Sequence, residues 1–278
     1  MATSTKQQQP QLILHRGWPD KGKYVWSPFV VKVEARLRFA GVNYEVQGGT
    51  PRTAPKGKIP YLEIRNASQE DNGSTAGGNS PETIADSTFI IKQLVERGIL
   101  PDFSLRSKID GPGDANDLAI RALMEDKLYF YQIWERWTQN YYTMRDHVLS
   151  PIPYPVRVLV GLLVYRNTRQ TLHGQGVGRY TAEEIAVFRR EIWEAIDQYL
   201  TLSKSKLTGH DANARPFWIL GTDQPTEADA TVFGFIVSVL VCTAGPDSQK
   251  LVKQFPVILD YARRIHEVYF PDYEKWEE

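Results

Sequence analysis

Cysteine is almost missing from this chain. One residue, Cys242, among 278 excludes an intrachain disulfide framework and any multi-cysteine zinc site. A reduced, intracellular setting is the default for such a composition. Net charge is missing too, with 33 basic side chains against 33 acidic ones. A sequence-independent nucleic-acid binder needs a broad basic field, so that class is set aside. A small anionic ligand needs only a few local donors and stays open. Long apolar runs are also lacking. Residues 233–244 (FGFIVSVLVCTA) fall short of the roughly 20 needed to span a bilayer and read as a buried helix. The opening MATSTKQQQP is polar, without the apolar core of a signal peptide. A cytoplasmic protein with no membrane and no nucleic-acid partner is expected. The 5 histidines are isolated, with no pair at metal-ligand spacing, so no metal is expected. Gly-x-Ser-x-Gly and a phosphate loop are absent. Gly174-Gln175-Gly176-Val177-Gly178 has no strand before it and is not a dinucleotide fingerprint.

What is present is well punctuated. The length suits two domains or one large one, and 42% hydrophobic with 24% charged residues is ordinary for a globular protein. After a tail at 1–10 expected to be disordered, Leu12-Ile13-Leu14-His15 is a short β-type run. Residues 30–40 (VVKVEARLRFA) put Val30, Val33, Leu37 and Ala40 on one helical face, with Lys32, Glu34, Arg36 and Arg38 elsewhere. Gly41 ends that helix, and Val42-Asn43-Tyr44-Glu45-Val46 alternates like a strand. Another strand covers 59–64, where an early proline implies an edge or a cis connection. Residues 66–82 contain no Val, Ile, Leu or aromatic residue and read as a surface insertion. Helix resumes at Asp86-Ser87 and runs to Gly98. A stretch rich in proline, glycine and charge, PDFSLRSKIDGPG from 101, sets a linker at 105–117. Everything beyond looks helical: an aromatic-rich helix over 118–142, a break at Pro151, Pro153 and Pro155, and caps at Thr181-Ala182-Glu183-Glu184 and Thr226-Glu227-Ala228-Asp229. The expectation is an α+β domain at 11–104, ordered βαβ-ββα, followed by an all-α domain at 118–278.

Three short segments of the first domain carry chemistry. Ser27, in Trp26-Ser27-Pro28-Phe29, sits where the N–H groups of a helix start converge and an anion or thiolate is stabilised. Alone, it is adequately explained as a helix cap worth about 1 kcal/mol. In Gly57-Lys58-Ile59-Pro60-Tyr61, a cis Ile-Pro bond would turn the Ile59 backbone outward to pair with an extended peptide-like ligand. Alone, it reads as an edge strand opening at proline. In Ile84-Ala85-Asp86-Ser87, Ser87 suits a carboxylate and Asp86 an ammonium, or the pair simply caps a helix.

In this order and spacing the three segments resemble the glutathione-binding half of the glutathione S-transferase superfamily, over nearly the whole chain. Ser27-Pro28 looks like the Ser/Cys-Pro start of the first helix, Ile59-Pro60 like the hydrophobic-cis-Pro step, and Asp86-Ser87 like the acidic-Ser pair holding the γ-glutamyl end. Thr226-Glu227-Ala228-Asp229 matches the Ser/Thr-x-x-Asp cap, a folding element. Residues 27–34 and 57–61 resemble the failed-axon-connections and metaxin-like branch, as do 84–91, 125–129 and 176–184. The C-terminal membrane segment of the metaxin arm is lacking, which removes outer-membrane anchoring from the expectation. Fungal relatives of this type imply glutathione addition or isomerisation in secondary metabolism, and the superfamily's habit implies a homodimer.

The resemblance implies a thioredoxin-like glutathione-binding domain plus an α-helical domain, with glutathione as cosubstrate. Lys58, Ile59 and Pro60 would take the tripeptide backbone, Asp86 and Ser87 its γ-glutamyl end, and Ser27 its sulfur. Serine where thiol-transferase members carry cysteine disfavours a mixed-disulfide mechanism. It favours a hydrogen bond that lowers the thiol pKa for attack on an electrophile. Tyr24 is the fallback donor, and Cys242 reads as a buried structural thiol. Arg16, Lys21, Lys23, Lys32, Arg36 and Arg38 outnumber Asp20 and Glu34 locally, a tilt that suits an anionic tripeptide but is better explained as solvated surface charge. Phe29, Tyr129, Trp134 and Trp137 are expected to line the pocket of a bulky hydrophobic electrophile, although the two tryptophans suit the core as readily. Conjugation leads; glutathione-dependent cis-trans isomerisation of a conjugated substrate is the alternative, and a non-catalytic binding protein of the same fold is the second.

Overall fold

A computed structural model describes residues 10–18, 20–65, 81–103, 113–208 and 214–277. The expected insertion at 66–82 lies outside them except for its last two residues, as does 105–112 of the linker. The first domain runs β1 (Gln11–His15), α1 (Pro28–Phe39), β2 (Glu45–Gln47), β3 (Tyr61–Arg65), β4 (Glu82–Ala85) and α2 (Ser87–Glu96), the expected βαβ-ββα order. Its sheet has the order β2-β1-β3-β4. β1 and β2 are parallel, joined through α1, and the other two pairs are antiparallel. Leu12, Leu14, Leu62 and Ile64 of the sheet close against Val33 and Leu37 of α1 and Ile90 and Leu94 of α2.

The first described helix after α2 opens at Gly113, within the expected linker. Asp117 accepts a hydrogen bond from the Ala228 backbone N–H at 2.7 Å, which docks the supposed linker end onto the domain. α3 (Gly113–Ala122), α4 (Tyr129–Trp134) and α5 (Tyr141–Val148) form the aromatic-rich helix, with wider π turns at Leu123–Leu128 and Glu135–Gln139. Five more helices follow: α6 (Tyr154–Gln175), α7 (Ala182–Ser205), α8 (Glu227–Val241), α9 (Pro246–Val252) and α10 (Pro256–Tyr269). α7 and α8 start with the two capping boxes read from the sequence. All of α8 from Ala228 to Leu240 is buried, as its apolar run requires. Cys242 is the residue capping its C-terminal end, fully buried, and burial raises its thiol pKa.

The charged side of α1 is a correction. It is not solvated: Lys32, Glu34 and Arg36 are all buried. Val33 and Leu37 face the sheet while Val30, Val31 and Ala35 pack into the core centred on α8, so the helix is enclosed on both sides. Each charge is then neutralised in place. Lys32 meets Glu125 at 2.6 Å, Arg36 meets Glu227 at 2.6 Å, Arg16 meets Glu34 at 3.0 Å and Arg38 meets Asp272 at 2.5 Å. Three of these four pairs tie the first domain to the second. Buried charges of this kind hold only when paired, and removing one partner costs about 3–5 kcal/mol. Lys32, Arg36 and Arg38 thus serve domain docking, whereas Lys21 and Lys23 are exposed, as solvated surface charge was expected to be.

Candidate functional site

The strand register explains why three segments far apart in sequence meet. His15 at the end of β1 pairs with Tyr61 at the start of β3, and Tyr61 pairs with Ala85 at the end of β4. The chain leaving β1 toward Ser27, the Ile59-Pro60 step entering β3 and the Asp86-Ser87 step leaving β4 thus lie along one end of the sheet. Gly17, with φ +94°, brings the post-β1 loop close to the proline step: a Cβ there would lie 3.4 Å from Ile59 Cδ1. Ile59-Pro60 is a cis peptide bond, as the sequence reading expected.

Ser27 is the residue before α1, and its side chain makes no capping hydrogen bond. Ser27 caps the helix through its backbone, accepting from the Val31 N–H, and leaves its hydroxyl unspent. Behind it, the Trp26 carbonyl accepts hydrogen bonds from Arg136 Nη1 at 3.0 Å and from Ser238 Oγ at 2.6 Å. Arg136 also reaches Ser238 Oγ at 3.1 Å. Both side chains are buried. The peptide joining Trp26 to Ser27 is trans, so its N–H points away from this clamp. Beside it, His147 of α5 stacks on Trp26 with ring centroids 3.5 Å apart and lies 4.8 Å from Trp18. Burial holds the His147 pKa below its ordinary value, which favours the neutral ring near pH 7. Trp18, His147 and Arg136 carry no signal in the sequence, because each sits in an unremarkable local context and only packing brings it to the neighbourhood of Trp26.

At the second step Asp86 has φ 81°, the one described non-glycine residue with positive φ. Such strain persists only where surroundings impose it, and it clusters at functional sites. Asp86 Oδ1 accepts from the N–H groups of Thr88 and Phe89 at 3.0 and 3.3 Å, capping α2, while Ser87 beside it is buried. Lys58 is exposed, Ile59 half-buried and Pro60 buried.

Two expected residues are placed elsewhere. Tyr24 is buried among Phe233, Phe270, Tyr273 and Trp276, with its hydroxyl 2.8 Å from His266 Nδ1. Burial raises its pKa far above the ordinary tyrosine value. Its hydroxyl is engaged with His266 inside the core, away from the Ser27 turn where the fallback donor was expected. Trp137 belongs to the core with Met144 and Cys242. Phe29 and Tyr129 do come together, edge to face at 5.0 Å, half-buried and one residue beyond the Ser27-Pro28 turn. Trp134 is half-buried and lines a groove against α6 with Tyr165 and Tyr180. Among the described residues no group of His, Cys, Asp and Glu is arranged to hold a metal ion.

A four-stranded thioredoxin-like sheet, a helical second domain and these three segments at one sheet end define the glutathione S-transferase class of fold. The comparisons agree. Residues 28–144 match the family model "Glutathione S-transferase N-terminal domain" and 216–265 match "Glutathione S-transferase, C-terminal domain". The chain belongs to the glutathione S-transferase superfamily. It is 23% identical over 265 residues to Failed axon connections of Drosophila melanogaster, covering 90% of this chain but only 56% of that protein's length. It is 28% identical over 255 residues to Isoprene-epoxide--glutathione S-transferase of Rhodococcus sp. (strain AD45), covering 87% and 92%. It is 22% identical over 227 residues to Metaxin-2 of Mus musculus, covering 80% and 73%. The expected likeness to the failed-axon-connections and metaxin branch is therefore present. Among solved structures, glutathione transferase GSTFuA3 from Phanerochaete chrysosporium superposes with TM-score 0.56 at 16% identity, over 98% of this chain and 100% of that one.

Proposed function

We propose that this protein is a glutathione-dependent transferase that activates the glutathione thiol at Ser27 and joins it to a hydrophobic electrophile. The observation that carries the reading is the start of α1. There the Ser27 hydroxyl is left unused by its own helix, in a turn flanked by Trp26, stacked on His147, and by Phe29, packed on Tyr129. Glutathione would extend along Ile59-Pro60 with its γ-glutamyl end at Asp86-Ser87. A sulfur placed at Ser27 would receive the hydroxyl hydrogen bond and the partial positive charge of the helix start, both of which lower a thiol pKa. Cys242, fully buried, supplies no competing thiol. The electrophile we favour is an epoxide with an apolar body. The 28% identical relative, by its name, joins glutathione to isoprene epoxide, and it matches over nearly its whole length. In that reaction the thiolate attacks an epoxide carbon, the C–S bond forms as the C–O bond opens, and the alkoxide takes a proton from water.

Calorimetry with glutathione, followed by mass analysis of products from a panel of epoxides, tests the reading. Binding at millimolar glutathione or tighter and a product heavier by the tripeptide are expected. Ser27→Ala should cut turnover at least tenfold while changing glutathione affinity little. Absence of glutathione binding would overturn the proposal, and turnover of a conjugated substrate at unchanged mass would replace conjugation by isomerisation.

A further inference from the structure

The cations of α1 that meet carboxylates of the second domain differ in what else they touch. Arg36 pairs with Glu227 and lies 3.6 Å over the Phe103 ring. Arg38 pairs with Asp272 and donates to the Tyr269 carbonyl at 2.8 Å. Neither set of contacts reaches the three segments of the site. Lys32 does. Its Nζ donates to Glu125 Oε1 at 2.6 Å and also to Thr88 Oγ1 at 3.2 Å, and Thr88 stands directly after Asp86-Ser87.

The lysine is enclosed, with only 2% of its side chain exposed. Four elements converge on it and its carboxylate. α1 supplies Lys32, α2 supplies Thr88, and the π turn at Leu123–Leu128 supplies Glu125. α8 supplies Thr231, whose hydroxyl donates to Glu125 Oε1 at 3.1 Å. Such π turns inside α-helices are frequent at functional sites. Lysine suits the position because its ammonium is compact and carries three donors, so one atom bridges a carboxylate and a hydroxyl on different helices. Glu125 neutralises the charge in place, and what reaches Thr88 is a fixed direction rather than a field.

That direction matters one step further on. The Thr88 N–H donates to Asp86 Oδ1 at 3.0 Å, and the Phe89 N–H reaches the same oxygen at 3.3 Å. Both bonds of the cap fall on Oδ1, on an exposed side chain whose other oxygen can take an ammonium. Asp86 holds its φ of 81° only while its surroundings impose it. Ile90 and Leu94 draw α2 onto the first core, but apolar attraction has no direction. A hydrogen bond from a charged donor does. α1 carries Ser27 at its start and Lys32 five residues later. One side chain therefore ties the thiol end of the site to the γ-glutamyl end, with its root in the second domain.

We propose that Lys32 is a positioning residue for the γ-glutamyl end of glutathione: by holding Thr88 it keeps the Asp86-Ser87 step in register with Ser27. The inference rests on the glutathione reading and adds the side chain through which the whole tripeptide, rather than its thiol alone, is selected.

Calorimetry and turnover with glutathione and with cysteinylglycine, which keeps the thiol and lacks the γ-glutamyl group, test it. The wild type should bind glutathione the more tightly. Thr88→Val removes the hydroxyl that Lys32 holds and keeps the side-chain shape. Its affinity for glutathione should fall about tenfold, the order of a lost hydrogen bond to a charged group. Turnover at saturating glutathione should stay within twofold, and affinity for cysteinylglycine should not change. Lys32→Met keeps the length, removes the ammonium and should lose at least as much of the preference. A merely structural loss weakens both thiols together, so their ratio is insensitive to it. If Lys32→Met fails to fold, Thr88→Val decides alone. A preference that Thr88→Val keeps, or equal weakening of both thiols, overturns the inference and leaves the glutathione reading standing. So does a wild type that binds glutathione and cysteinylglycine equally. A wild type that binds no glutathione overturns the reading and this inference with it.

Discussion

One added methyl group at Gly234 is expected to loosen the joint between the two domains. Gly234 lies in α8 where α1 crosses it. A Cβ there would stand 2.6 Å from the Pro28 carbonyl oxygen, 2.9 Å from the Lys32 nitrogen and 3.3 Å from the Lys32 Cα. All three are backbone atoms, so no side chain can swing aside. Two effects oppose each other in Gly234→Ala. Alanine is better than glycine inside a helix by about 1 kcal/mol. Overpacking costs about 1–3 kcal/mol, and the upper end applies because α1 is also pinned by its buried ion pairs. Strain wins, by on the order of 1–2 kcal/mol. For a chain of this size that lowers the thermal midpoint by roughly 3–6 °C. The same shift moves the start of α1, and with it Ser27, so turnover with glutathione should fall about tenfold or more. Gly174→Ala is the internal control. It lies in α6 with nothing within 4 Å of its added Cβ, so only the propensity gain remains. That variant should be stabilised by up to about 1 kcal/mol, with unchanged turnover. Thermal unfolding of both proteins by circular dichroism decides the matter. The packing argument fails if Gly234→Ala raises the midpoint, or if both variants shift in the same direction.

Three further outcomes follow from particular contacts. Tyr24→Phe keeps the ring in its aromatic nest and removes only the hydrogen bond to His266, so stability should fall by about 1 kcal/mol with turnover within twofold of wild type. A large loss of turnover would return Tyr24 to the site. Arg136→Gln unclamps the carbonyl that orients the Ser27 peptide; turnover should fall more than tenfold, and Arg136→Lys should recover part of it. Rescue that tracked thermal stability alone would make the residue merely structural. Asp260 bonds Arg263, Arg264 and Lys204, and these cations overcome partial burial to hold its pKa at about 2, below the ordinary 3.8. Its pairing stabilises the fold above pH 3.8 and is lost as pH falls through about 2. Asp260→Asn should therefore cost on the order of 1 kcal/mol at pH 7, discounted for solvent screening. That cost should vanish near pH 2, and a constant difference across acid unfolding curves would contradict the assignment.

Local signals set the elements of this protein well. Thr181 and Glu184 close a capping box wherever they occur together ahead of an apolar helix, and the unbroken apolar run of α8 admits no solvent-facing side. Ser27-Pro28, Ile59-Pro60 and Asp86-Ser87 were readable for the same reason: each is a short chain geometry that depends on its own residues. The surroundings of those segments were not. The amphipathic pattern of α1 cannot tell a wet charged face from one buried against carboxylates far along the chain. Lys32 with Glu125 and Arg36 with Glu227 are visible only once the domains dock.

Sequence by itself thus determined the order of strands and helices, the three segments that meet at one end of the sheet, and a lone cysteine that lies buried. Tertiary structure decided which side chains surround that site. It sent Tyr24 to His266 and Trp137 to Cys242, and brought Arg136, His147 and Trp18 to the turn before Ser27. The division has a physical cause. Caps, turns and helical periodicity are settled within a few residues, whereas burial and charge pairing depend on which distant surface arrives, and no local pattern encodes that.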